Sequence, residues 1–135
     1  MPANTNPIYT LVPNTAWTTM TAANTVMDGS GTVGTIFTAG ANGGYISRVI
    51  MRSLGTNVAT VMRVFLNNGS TNATAANNSL LTELAVGTTS ASNVLQQPEY
   101  ALQVDIAIPA GYKLLVTLGT AVAAGYAIAA IGGDY

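Results

Sequence analysis

The stretch from Ala101 to Leu118 (ALQVDIAIPAGYKLLVTL) limits the possible folds more than any other part of this chain. Leu102, Val104, Ile106 and Ile108 share one parity, and Ala101, Gln103, Asp105 and Ala107 take the other. A period of two sends such sets to opposite faces of a β-strand, so one face is buried and the other is not. Pro109-Ala110-Gly111 breaks the run: proline cannot donate to a ladder, and glycine accepts positive φ. Tyr112, Leu114, Val116 and Leu118 then resume the alternation. The pattern predicts a strand, a tight turn and a strand, a C-terminal hairpin. A third apolar run, Tyr126 to Ile131, follows it.

The rest of the chain reads the same way. Ile8 to Val12 lies between Pro7 and Pro13, which suits an edge strand, and Met1–Val12 as a whole is expected to be an extended arm ending in that strand. Residues 13–135 are expected to form one β-sandwich domain. Trp17 to Ala22 is threonine-rich strand material with Trp17 as its anchor. Thr32 to Ala39 is another strand, and Asn42-Gly43 is a strong hairpin signal. Tyr45–Leu54 and Val58–Leu66 look like a long pair joined through Gly55-Thr-Asn57. Ser70–Asn78 and Gly87–Gln97 are polar loops flanking a strand over Ser79–Val86. No window shows the i, i+3, i+4, i+7 pattern of an amphipathic helix. About eight antiparallel strands result, and the two long loops fit crossings between sheets. A jelly roll is the expected all-β fold, with an immunoglobulin-like sandwich as the alternative.

The chain has no histidine and no cysteine among its 135 residues. The usual general base, the usual soft-metal ligands and every thiol nucleophile are missing together. Neither enzymatic activity nor a cofactor or metal is expected. Only 7 % of the residues are charged, against about 25 % in ordinary soluble domains. The net charge of −1 supplies no basic field for nucleic acid. The apolar C-terminal run is broken by Gly119, Gly125, Gly132 and Gly133, so no membrane span is expected, and the N-terminus lacks a signal-peptide pattern. A surface so poor in charge has little colloidal repulsion. It suits a chain whose exterior is taken up in a fixed assembly.

Few residues invite a chemical role. Gly29-Ser-Gly-Thr-Val-Gly34 matches GxGxxG as a string, but β material flanks it where a dinucleotide site needs a helix, so it reads as a turn. Asp28, Glu83, Glu99, Asp105 and Asp134 are scattered, with Asp134 expected to be exposed. Arg48, Arg52 and Arg63 are three of only four cations. Arg48 and Arg52 are expected to share a strand face with Ile46, Ile50 and Leu54, and Arg63 to lie on the partner strand. Such guanidiniums could pair with acids across a subunit boundary, or simply reach water at strand ends. A Ser–Lys dyad through Lys113 is formally open, although a lysine just after a tight turn reads as solvated. Tyr45, Tyr100 and Tyr126 are the aromatics that could stack on a sugar if exposed.

The strings NPIYTLVPN, LGTNVAT, RVFLNNGSTNATAANNSL and IPAGYKLLVTLGTAVAAGYAIAAIGGDY cover much of the chain. In them the sequence resembles small structural proteins of tailed bacteriophages, of the head decoration (cement) type. The resemblance implies a jelly-roll subunit that forms homotrimers on the outer capsid surface of the virion and ties major capsid subunits together. It carries over no catalytic residue. It implies capsid or inter-subunit contacts from the arm, at Asn6, Pro7, Ile8 and Tyr9, and the arginines Arg48, Arg52 and Arg63 are placed with them. A head-fibre or tail-fibre domain binding host glycans is the alternative.

Overall fold

A computed structural model describes residues 10–135. Its strands are β1 (Val12–Pro13), β2 (Trp17–Met20), β3 (Gly34–Thr38), β4 (Gly44–Ser53), β5 (Thr60–Asn67), β6 (Asn78–Val86), β7 (Glu99–Ile108), β8 (Lys113–Leu118) and β9 (Tyr126–Asp134). The only helical piece among the described residues is a 3₁₀ turn at Ala75–Asn77. All pairing between the strands is antiparallel.

The pairs are nested. β5 pairs with β6, β4 with β7, β3 with β8 and β2 with β9. A long hairpin with its tip between β5 and β6 would show these four pairs. Rolling it up adds two more, β4 with β9 and β5 with β8. The result is one sheet in the order β2-β9-β4-β7, with β1 lying end to end with β2 along the same edge of β9, and a second in the order β3-β8-β5-β6. Two interlocked Greek keys of this order make a jelly roll.

The core lies between the sheets. Ile46, Val49, Met51 and Ile128 of one sheet meet Ile36, Met62, Val64, Leu114, Val116 and Leu118 of the other, all with no exposed surface. Leu102, Val104 and Ile106 pack against this cluster, on the inward parity expected for them. Each such aliphatic side chain contributes about 1.5–3 kcal/mol on burial, so the parity of a strand is strongly enforced.

The topology corrects several expectations. Asn42-Gly43 does make a tight turn, with Gly43 at φ +85° where a Cβ would strike the Ile108 carbonyl. The turn is no hairpin, however, because β3 and β4 lie in different sheets. The same holds at Gly55–Asn57 and at Pro109–Gly111: β4 does not pair with β5, nor β7 with β8. Conversely, the loop before β6 does not cross between sheets. It closes the β5–β6 hairpin, the one sequential pair that bonds within a sheet, while Gly87–Gln97 crosses as expected. Trp17 is not an anchor; it is 72 % exposed, on the outer face of β2.

Strand β4 slips register against both neighbours between Ile46 and Arg48. Such a bulge flips side-chain parity. Ile46 therefore faces the core with Val49 and Met51, while Arg48, Ile50 and Arg52 face outward. The expectation that Arg48 and Arg52 share a face with Ile46 fails for this reason. Arg63 is not on a partner strand at all, since β5 belongs to the other sheet.

Candidate interaction surfaces

The arginines do not converge. Arg52 sits opposite Glu99 on β7 and forms an ion pair with it. Arg63 donates from Nε to Glu83 on β6 at 2.7 Å and from Nη1 to the Asn24 carbonyl at 3.4 Å. Both pairs are within the chain, so these two cations are already matched before any partner arrives. Surface pairs of this kind contribute little, about 0–1 kcal/mol each. Arg48 is exposed and has no ion pair among the described residues. Asn6, Pro7, Ile8 and Tyr9 lie outside the described residues.

The acids serve the fold. Asp105, at φ +47°, accepts a hydrogen bond from the Tyr45 hydroxyl at 2.9 Å beside the bulge. That bond holds the Tyr45 phenol above its ordinary range. Asp28 caps a turn: the hydroxyl and the N–H of Ser30 both donate to it, which holds its carboxyl below the usual carboxylate range. Asp134 is not the exposed residue expected. It is half-buried and accepts from the Asn14 amide (3.0 and 3.1 Å) and the Gly40 N–H (3.0 Å), pinning β9 to two loops. Among the described residues no group of three acids could hold a metal ion.

The Gly29–Gly34 string is a turn, with Gly29 at φ +80° and Gly31 at +79°, leading into β3. Lys113 is half-buried rather than solvated. It lines a cleft of about 100 Å³ with Ser70, Thr71, Asn72 and Asn67. Ligand sites usually occupy ~300–1,000 Å³. Among the described residues no hydrogen bond joins Lys113 to a hydroxyl, so no Ser–Lys dyad is assembled there. Tyr126 is fully buried and unavailable to a sugar.

A polar knot that the sequence pattern did not single out lies at one end of the sandwich. Asn57, 3 % exposed, donates to Ser53 Oγ and to the Gly125 carbonyl, both at 3.0 Å. Its Oδ1 accepts from Ala124 N (2.8 Å) and Gly125 N (3.0 Å). Thr89 bridges Ser53 and the Gly55 carbonyl. Through these side chains and the Asn57–Thr89 backbone pair, the knot ties three sheet-crossing loops together. Its only signal in the sequence was a turn-forming Gly-Thr-Asn triplet.

The two outer faces differ. On the β3-β8-β5-β6 sheet, Phe65 and Leu115 have the outward parity yet are 0 % and 2 % exposed. Asn72 of the β5–β6 loop and Asn78 at the start of β6 reach to the carbonyls of Asp28, Gly29 and Gly31, drawing the β2–β3 loop over this side. Among the described residues no loop covers the outer face of the β2-β9-β4-β7 sheet in this way. Trp17, Ala129, Ile50 and Ala101 stand in one cross-strand row on it.

No protein-family model matches the chain, and no curated protein does. The surfaces must therefore be interpreted from their own chemistry.

Proposed function

We propose that this chain is a structural subunit of a tailed-phage particle, a capsid decoration protein that binds the outer surface of the head and bridges major capsid subunits. The observation that carries the reading is the exterior. Leu11, Trp17, Val94 and Leu95 are 72–90 % exposed, while two of the four cations are neutralised within the chain. Large apolar side chains left this open, on a chain with so few charges, suit an exterior that a fixed assembly covers. The resemblance to cement proteins supplies the kind of neighbour, and the resemblance alone supplies a trimer.

The physical effect is linkage. A subunit that binds the intact lattice and not the loosened one stabilises the shell by RT ln(1 + [L]/Kd), about 2.7 kcal/mol at a hundredfold excess over Kd. The test uses heads that lack the subunit. Adding the purified chain should saturate a fixed number of sites and raise the temperature at which the heads release DNA. Removing Met1–Pro7 should abolish binding and leave the circular dichroism unchanged. Failure of the full chain to bind heads refutes the proposal.

A further inference from the structure

The outer face of the β2-β9-β4-β7 sheet carries a size pattern. Register places Trp17 beside Ala129, Ala129 beside Ile50, and Ile50 beside Ala101, across β2, β9, β4 and β7. All four point away from the core: Trp17 and Ala101 are exposed, Ala129 and Ile50 half-buried. In space the row reads large, small, large, small.

The geometry points to a second copy of this chain as the occupant of this face, packed sheet on sheet about a two-fold axis parallel to the strands and passing between β9 and β4. That operation reverses the row. Trp17 then lies over Ala101 of the other copy, and Ile50 over Ala129, so each large side chain meets a small one, four times in the seam. Closely packed layers need this alternation, and a two-fold interface must be complementary to itself.

The flanking rows agree. Thr19, Ala127, Arg52 and Glu99 form the next row. Reversed, it sets Arg52 over Ala127 and Glu99 over Thr19. In the row on the other side, Arg48 falls over Ile131. No charge meets its like. The Arg52–Glu99 pair is already made within the chain, so closing the seam strands neither ion.

The area suffices. Strands β4, β7 and β9 are nine or ten residues long. At about 3.3 Å per residue and 4.8 Å between strands the face projects roughly 500 Å². Its accessible area is larger because side chains corrugate it, approaching the ~800 Å² that a standard interface takes from each partner. A charged partner would leave the alanine floor unmatched, whereas a copy of the chain matches it residue by residue.

This seam deepens the assembly reading above and rests on it for the premise that copies associate. Any three-fold contacts made on a shell would use other surfaces. Trp17 is the only tryptophan, so its fluorescence reports the seam directly. Sedimentation at ~100 μM, far above a micromolar dissociation constant, should give the mass of two protomers, with Trp17 emission blue-shifted and shielded from acrylamide. Dilution should reverse mass and emission together. Trp17→Ala should weaken dimerisation about tenfold or more, as truncating a buried interface tryptophan does. Ala101→Trp should weaken it as well, because two large groups then collide, and the swap Trp17→Ala/Ala101→Trp should restore it. Both sites are exposed, so at concentrations below the dimer dissociation constant the variants should keep the wild-type melt. If either does not, the wild-type quenching and mass still decide. A monomer, a three-protomer mass, a dimer whose Trp17 stays open to quencher, or a swap that does not restore association overturns the seam. Head binding is measured separately: a chain that dimerises but ignores heads sinks the shell reading and leaves the seam standing.

Discussion

Asn57 shows how much a single amide can hold. Its buried side chain has four hydrogen-bond partners: Ser53 Oγ, the Gly125 carbonyl, and the N–H groups of Ala124 and Gly125. Alanine there would leave the N–H groups of Ala124 and Gly125 without partners, while the Gly125 carbonyl keeps the Leu54 N–H, and an unpaired buried polar group costs about 1–3 kcal/mol. Asn57→Ala should therefore lose about 3 kcal/mol or more by urea denaturation, far beyond the effect at an exposed asparagine such as Asn93. Beside the knot, the Tyr126 hydroxyl is buried near Thr89 and Asn57 without a hydrogen bond of normal geometry. Burial pushes its phenol above the ordinary value. A raised phenol favours folding fully below its unfolded value of about 10, and that contribution is lost as pH climbs through the folded value. Tyr45, raised by its bond to Asp105, acts in the same direction. In Tyr126→Phe the fall in melting temperature above pH 10 should be shallower than in wild type, with stability at pH 7 equal or higher.

At the scale of elements, the parity of β7 and β8 was open to direct reading, because burial enforces the inward face of each. What could not be read was which strands bond to each other. A Gly- or Pro-containing reversal looks alike whether the chain returns along its own sheet or crosses to the other. Asn42-Gly43 and Pro109–Gly111 make the turns expected of them and join unpaired strands. The bulge in β4 was equally hidden, since it is defined by pairing with distant strands; at this level β9 brings Gly132 against the Tyr45 carbonyl, where a Cβ would collide with backbone. Only glycine permits that approach. Gly132→Ala should force the ladder apart and cost about 2–4 kcal/mol, as large steric faults do, whereas Gly87→Ala, with nothing within 4 Å of its Cβ, should cost far less by the same denaturation assay. Of the candidate contact residues, the composition made the arginines conspicuous. Their pairing inside the chain depended on the register of β4 with β7 and of β5 with β6, which no local pattern states.

For the whole molecule, the nested pairing sets the kinetics. Closing β2 on β9 brings Trp17 beside Ala129, nearly the full length of the described chain, and non-local pairing of this kind slows folding to the millisecond-to-second range. Stopped-flow refolding should show that slow phase, and deleting β9 should leave no cooperative transition, because β9 contacts β1, β2 and β4. Rolling also brings the first described residues home to the last: the Leu11 N–H donates to the Asp134 carbonyl at 2.8 Å. A circle can be cut anywhere its perimeter tolerates. Splicing the tail to the head through a short glycine linker and reopening the backbone between Ser92 and Leu95, where Val94 is 90 % exposed, should yield the same sandwich with its free ends moved to the far rim, checked by an unchanged circular dichroism spectrum.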